Sequence, residues 1–252
     1  MSKKKKAKRG AEPEQGPSKD GDRAGEGELN AATEWAKSII IAVALFIFLR
    51  SFLVQTFVIT SGSMEETLLV GDMLLVNRAA IGSKIPLTDI RIPGYSSPEH
   101  GDVIVFDPPH EPDLKLVKRL MGMPGDTLEM RDRVLYRNGE ALDEPYVRHT
   151  DNGDEVHPWM VWQRDHLMPG HDPSTYAPTR NNWGPLILPE DRYFMLGDNR
   201  ETSFDSRYWG LLEGWRLEGR AVFKYYSYNK LSYRPFPWLR EVRWNRIGDM
   251  IR

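Results

Sequence analysis

Between Trp35 and Val54 the chain runs for 20 residues with only two charges, Lys37 and Arg50, and its centre, Ser38–Leu49, has none. As a helix these residues reach about 30 Å, the thickness of a bilayer's hydrocarbon core. Lys37 and Arg50 then extend toward opposite interfaces, with Trp35 at one of them. We read residues 35–54 as a single transmembrane helix. Lys3, Lys4, Lys5, Lys6, Lys8 and Arg9 precede it, which puts the N-terminus in the cytoplasm and residues from 60 onward outside. Residues 1–34 are otherwise a Gly/Glu/Pro/Asp mixture too poor in apolar side chains to offset ordering entropy, and are expected to be a disordered tail. A cleaved targeting segment would use the same apolar run. The long polar stretch ahead of it argues against cleavage, and no Ala-x-Ala site follows, although the small residues Thr60–Ser63 do.

Only one such run exists. With 40% hydrophobic and 28% charged residues the remainder cannot be polytopic. A net charge of -2 gives no reason to expect nucleic acid as a partner. The absence of cysteine excludes a disulfide framework, a thiolate metal site and a cysteine nucleophile. The six histidines show no metal-ligand spacing, so neither metal nor cofactor is expected.

From residue 55 to 228 short apolar runs (Asp72–Arg78, Asp102–Phe106, Leu114–Met121, Thr127–Met130, Val134–Arg137, Tyr193–Leu196, Ala221–Tyr226) alternate with turn signals such as Pro124-Gly125-Asp126 and Asn138-Gly139. This pattern predicts a mostly β, antiparallel domain. Residues 140–190, rich in Pro, Asn, Asp and His, read as a loop-rich insertion. The tail 229–252 interleaves Arg and Lys with Tyr233, Phe236, Trp238 and Trp244. It is expected to pack its aromatics on the sheet; resting on anionic lipid is the competing reading.

Two features suggest chemistry. Ser63 lies four residues past Ile59, within roughly 15 Å of the end of the apolar run if extended. Strand alternation aligns Leu114, Leu116, Lys118 and Leu120, making Lys118 the one charge on an apolar stripe. Alternation alone leaves two readings. One is a lysine whose stem packs on the core and whose head reaches water. The other is a buried amine that loses its proton and serves Ser63 as general base.

The motifs taken together narrow this. Ser61-Gly62-Ser63-Met64 with Thr67-Leu68 comes first, then Gly101-Asp102-Val103-Ile104-Val105-Phe106. Lys118-Arg119-Leu120-Met121-Gly122-Met123-Pro124-Gly125-Asp126 follows. Last come Gly197-Asp198-Asn199-Arg200, Ser203 and Asp205-Ser206-Arg207-Tyr208-Trp209-Gly210. In this order, after one membrane helix, the blocks resemble the bacterial type I signal (leader) peptidases over roughly residues 35–226. The resemblance implies a signal-peptidase-like β fold and a membrane-anchored Ser/Lys endopeptidase that removes signal peptides from exported preproteins. Carried over, Ser63 is the nucleophile and Lys118 the general base. The Ser63 N–H and the Ser61 hydroxyl form the oxyanion hole, and Ser203 orients the Lys118 amine. Asp198, Arg200, Asp205 and Arg207 pair around the site as scaffold, and Met64 lines the substrate cleft. The partners implied are preproteins and membrane lipid.

The chain departs from the family at Thr60 and Glu66, where the family commonly has proline. A carboxylate beside Lys118 would favour its ammonium form, so Glu65 and Glu66 are both expected to point to solvent. A catalytically silent anchored β domain that binds exported proteins is the alternative; it has no chemical need for both Ser63 and Lys118. A self-cleaving regulator would share the dyad but needs no membrane helix.

Overall fold

The computed structural model describes residues 33–47, 54–84, 88, 90–111 and 114–252. The expected polar tail thus falls almost wholly outside the described residues. Residues 33–47 are helical (α1) with every side chain exposed, among them Ile39, Ile40, Ile41, Val43, Leu45, Phe46 and Ile47. Among the described residues no helix is long and apolar enough to cross a membrane. The span expected over 35–54 also does not keep its C-terminal limit, because Val54 opens a strand, β1 (Val54–Val58). The segment Val-Gln-Thr-Phe-Val is rich in β-branched and aromatic residues, which favours extended backbone. Residues 48–53 lie outside the described residues.

The remaining chain is antiparallel β throughout its named pairings. One sheet has seven strands in the order β1-β2-β13-β5-β6-β11-β12. These are β1, β2 (Asp72–Asn77), β13 (Leu217–Ser227), β5 (Val103–Phe106), β6 (Leu116–Gly122), β11 (Arg192–Leu196) and β12 (Leu212–Glu213). A second sheet runs β10-β7-β8-β9, from β7 (Thr127–Arg131), β8 (Val134–Arg137), β9 (Glu140–Ala141) and β10 (Trp183–Ile187). A third pairs only β3 (Gly82–Lys84) with β4 (Arg91–Pro93). The short helices are α2 (Arg78–Ile81), α3 (Ser206–Trp209) and α4 (Pro237–Arg240).

Strand β5 shows why its sequence is uninterrupted Val-Ile-Val-Phe. Side chains alternate between the faces of a sheet, and both faces here are covered. Val103 and Val105 join Ile59, Met64, Leu68, Leu74 and Val76. Ile104 and Phe106 join Leu120, Met195, Leu212 and Leu217. A further core joins the second sheet to the end of the first, through Met121, Leu128, Leu135, Phe194 and Leu196.

That core also takes in residues of the stretch 140–190, expected from the sequence to be a loop-rich insertion. Met160, Trp183, Leu186 and Leu188 are buried within it. Met160 comes from a 3-10 segment, Pro158–His166, and Trp183 and Leu186 from β10. The strand escapes period-two recognition because Gly184 and Pro185 fall between its two buried residues, and its register shifts there. The C-terminal tail needs a correction. Tyr233, Phe236, Trp238 and Trp244 are exposed rather than packed on the sheet. The tail is held instead by backbone bonds to β13, including Lys224 N–H to Asp249 O and Ile251 N–H to Val222 O, and by Ile251 against the core.

Candidate active site

β1 ends at Val58 and the chain turns sharply through residues 61–67. Within the turn, the Glu65 N–H donates to Gly62 O at 3.0 Å and the Leu68 N–H to Met64 O at 2.7 Å. Met64 is 2% exposed, packed in the core beneath Ser63. The loop after β11 docks on this turn. Asn199 N–H donates to Ser63 O at 3.1 Å, and Asn199 Nδ2 donates to Gly62 O at 3.2 Å. Gly197 permits the approach, since a Cβ there would lie 2.2 Å from Ser203 Oγ and 2.5 Å from Ser63 O.

Lys118 enters from β6, opposite Ile104 of β5. Its Nζ is 2.5 Å from Ser63 Oγ, and the residue is 2% exposed. Among the described residues no carboxylate lies within salt-bridge distance of this amine. Burial pushes its pKa down to about 8. The charges of Asp205 and Asp198 work against that shift, and that of Arg207 works with it. The arrangement offers a hydroxyl already bonded to an amine that sheds its proton near neutrality, which is what a nucleophile and its general base require. Ser61 Oγ, on the exposed side, lies 3.4 Å from Ser63 Oγ. A pocket of about 170 Å³ opens beside this pair. It is lined by residues 57–61 together with Ser63, Met64 and residues 114–118.

The acidic and basic residues expected around the site are all buried, and each has a charged partner. Arg207 and Asp205 do pair, at 2.8 Å. Burial would raise the Asp205 pKa; the Arg207 charge outweighs it and holds the carboxyl below its usual range. Asp198 is held by Arg119, through Nε at 2.9 Å and Nη2 at 2.7 Å, and by the Thr67 hydroxyl at 2.6 Å. Arg200 pairs with Glu144 at 2.5 Å and donates to Gly197 O. Arg119, Thr67, Asn199 and Glu144 were thus missed. The signal for Arg119 was present: its alternation with Lys118 turns it away from that residue toward the opposite face. Arg119 also stacks on Tyr146, 3.7 Å from the ring centroid.

The Ser203 hydroxyl is buried and makes no hydrogen bond of ordinary geometry, to Lys118 or to any other described group. It lies near enough to Asp205 to favour that carboxylate. The expectation for the glutamates divides. Glu66 is exposed, whereas Glu65 is half-buried, accepting from Asn199 Nδ2 at 3.2 Å and lying 3.4 Å from Arg148. Residues 148 and 199 form a parallel bridge that brings Arg148 within reach. Glu65 is thereby engaged away from the amine.

The family model described as "Signal peptidase, peptidase S26" matches residues 32–226. Signal peptidase I of Pseudomonas aeruginosa is 38% identical over 180 residues, spanning 70% of this chain and 62% of that one, under two thirds of the relative's length. Signal peptidase I of Bacillus licheniformis is 32% identical over 203 residues, spanning 80% and 92%. A crystal structure of a signal peptidase I from Enterococcus faecalis V583 is 31% identical, covering 50% of this chain and 97% of that one, with a TM-score of 0.33.

Proposed function

Because this chain belongs to the signal peptidase family, peptidase S26, we propose that it is a membrane-anchored serine endopeptidase that removes signal peptides from exported preproteins. The substrate segment lies extended in the cleft between β1, an edge strand, and residues 114–118, adding its backbone to the sheet edge. The small pocket there admits small side chains next to the scissile bond. With its pKa at about 8, about a tenth of Lys118 is neutral at pH 7, against about one part in three thousand for an ordinary lysine. The neutral amine takes the Ser63 proton as Oγ attacks the carbonyl carbon. The Ser63 N–H and the Ser61 hydroxyl receive the oxyanion. The ammonium then returns its proton to the departing amine of the mature protein. Lys118, neutral again, activates the water that hydrolyses the acyl-enzyme. Ser203 orients the amine once Ser63 Oγ is tied up in the ester. Asp198, Arg119, Asp205, Arg207 and Arg200 hold the loops without reacting, and Met64 supports the cleft floor.

The apolar side chains that α1 exposes support the anchor. A helix of this kind gains from lipid what it would lose in water. The charge distribution reads as an N-terminus in the cytoplasm and the catalytic domain on the outer face of the membrane.

The observation that carries this reading is the 2.5 Å contact between a buried amine and one hydroxyl. Purified protein in detergent should cleave a preprotein. Ser63→Ala and Lys118→Ala should each lower kcat/KM by about a thousandfold or more with the melting temperature preserved. Full activity in either variant overturns the mechanism. No cleavage by the unaltered protein favours the silent binding domain.

A further inference from the structure

The turn that carries Ser63 is gripped from outside the stretch matched by the family model. Arg246, near the C-terminus, donates from Nη2 to the Thr67 carbonyl at 3.0 Å and to Asp72 Oδ2 at 2.7 Å. Its Nε reaches Asp72 Oδ1 at 3.3 Å. Arg243 Nη1 donates to Val70 O at 3.0 Å. Asp72 is fully buried and also accepts the Leu69 N–H at 2.9 Å and the Ser227 hydroxyl at 2.6 Å. Every backbone group in this set belongs to residues 67–70, the link between Ser63 and β2.

Thr67 carries the grip inward. Its carbonyl faces the tail, while its hydroxyl donates to Asp198 at 2.6 Å and accepts from Arg119 Nη2 at 3.1 Å. Arg119 follows Lys118 in β6. A continuous set of hydrogen bonds therefore runs from the C-terminal segment, through one residue of the nucleophile turn, to the strand that carries the amine. Ser63 must stay within hydrogen-bond reach of Lys118; Asn199 fixes the turn on its Gly62–Ser63 side, and the tail holds its other end at residues 67–70.

Resting on the Ser63/Lys118 reading above, we infer that Arg246 is a positioning residue for the reaction: by holding the Thr67 carbonyl it fixes Ser63 relative to Lys118. The guanidinium suits this because its planar fork serves a carboxylate and a carbonyl together. A lysine keeps the charge and loses the fork. A simple staple for the tail would need only the charge pair with Asp72.

Full-length protein in detergent, a preprotein substrate, and Arg246→Ala, Arg246→Lys and Arg234→Ala variants test this. Arg234 pairs with Glu241 at the surface, and its variant should leave turnover unchanged. Arg246→Ala should lower kcat by about 10- to 100-fold, with KM within about twofold. Amide hydrogen exchange at Leu68 and Leu69 should accelerate. Arg246→Lys should restore the melting temperature fully but kcat only in part. Unchanged kcat in Arg246→Ala overturns the inference. So does a kcat that simply follows the melting temperature through both Arg246 variants. If the unaltered protein shows no Ser63-dependent cleavage, the enzymatic reading itself fails; the exchange measurement still decides whether Arg246 grips the turn.

Discussion

Lys118 sits at about 8 in the folded protein against 10.5 for the free side chain, because burial removes the water that would solvate its ammonium. Between those two values the unfolded chain binds more protons than the folded one, so stability rises with pH across that window. Below about pH 8 the folded state carries the whole penalty, about 3 kcal/mol; above about 10.5 it carries none. Lys118→Met, of similar volume and without charge, should therefore stabilise the protein at pH 7 by about 1–3 kcal/mol. Urea unfolding at pH 7 and pH 10 should show that gain shrinking at the higher pH. A constant gain would mean the amine is not depressed. In the unaltered enzyme kcat/KM should climb with pH and level off above about 8. Lys118 and Ser63 could be singled out in the sequence because each is anomalous where it stands. Glu65 could not: its partners come from a bridge between residues 148 and 199, and no local pattern announces that.

The turn from Ser61 to Thr67 joins β1 to the link that precedes β2, and it holds the backbone of Glu66 at φ +97°. Left-handed backbone crowds a Cβ, at about 1–2 kcal/mol per residue, and such outliers gather at functional sites. Glu66→Gly should raise stability by about 0.5–1 kcal/mol, the relief of strain being partly offset by the freedom glycine gains when unfolded. Glu66→Pro, restoring the family's common residue, should lower stability by more than about 1 kcal/mol, since proline cannot take a positive φ. Chemical denaturation of both variants checks the pair; a stable proline variant would mean the turn can adopt another path. The turn's existence was legible from Ser-Gly-Ser after an apolar strand, but its conformation was not. Glutamate carries no signal for positive φ, and the docking of Asn199 on Gly62 and Ser63 sets the path from 136 residues away in the chain.

Across the whole domain, strands with β-branched runs bounded by Gly-Asp or Asn-Gly were readable, and β5, β6, β7, β8 and β11 stand close to where the apolar runs between turn signals put them. Their order in the sheet was not readable. It places β2 beside β13 and β13 beside β5, pairings between distant segments that local propensity does not encode. The closed fold also buries several carboxylates, some beside partners distant in sequence and some beside near ones. For Asp72, burial would raise the pKa; hydrogen bonds from Arg246 and Ser227 outweigh it and lower the value. For Asp126 the bonds from Arg137 and Asn138 do the same, and for Asp205 the Arg207 charge does. Each contributes stability that is fully present above the ordinary carboxylate value of about 3.8 and is lost as pH falls through the lower folded value. Asp102, raised chiefly by burial, acts in the opposite sense. Asp154, Asp172, Glu201 and Glu213 are lowered as well, so seven carboxylates stand against one, and with Lys118 acting only above about pH 8 they predict a definite curve. Urea midpoints should stay nearly level from about pH 5 to 8, fall steeply below about pH 4, and rise from about pH 8 toward 10. Asp72→Asn should flatten the acid limb while lowering the plateau, because the amide cannot hold Arg246 as a carboxylate does. An acid limb with unchanged steepness in that variant would show that Asp72 is not among the groups whose protonation unfolds the domain.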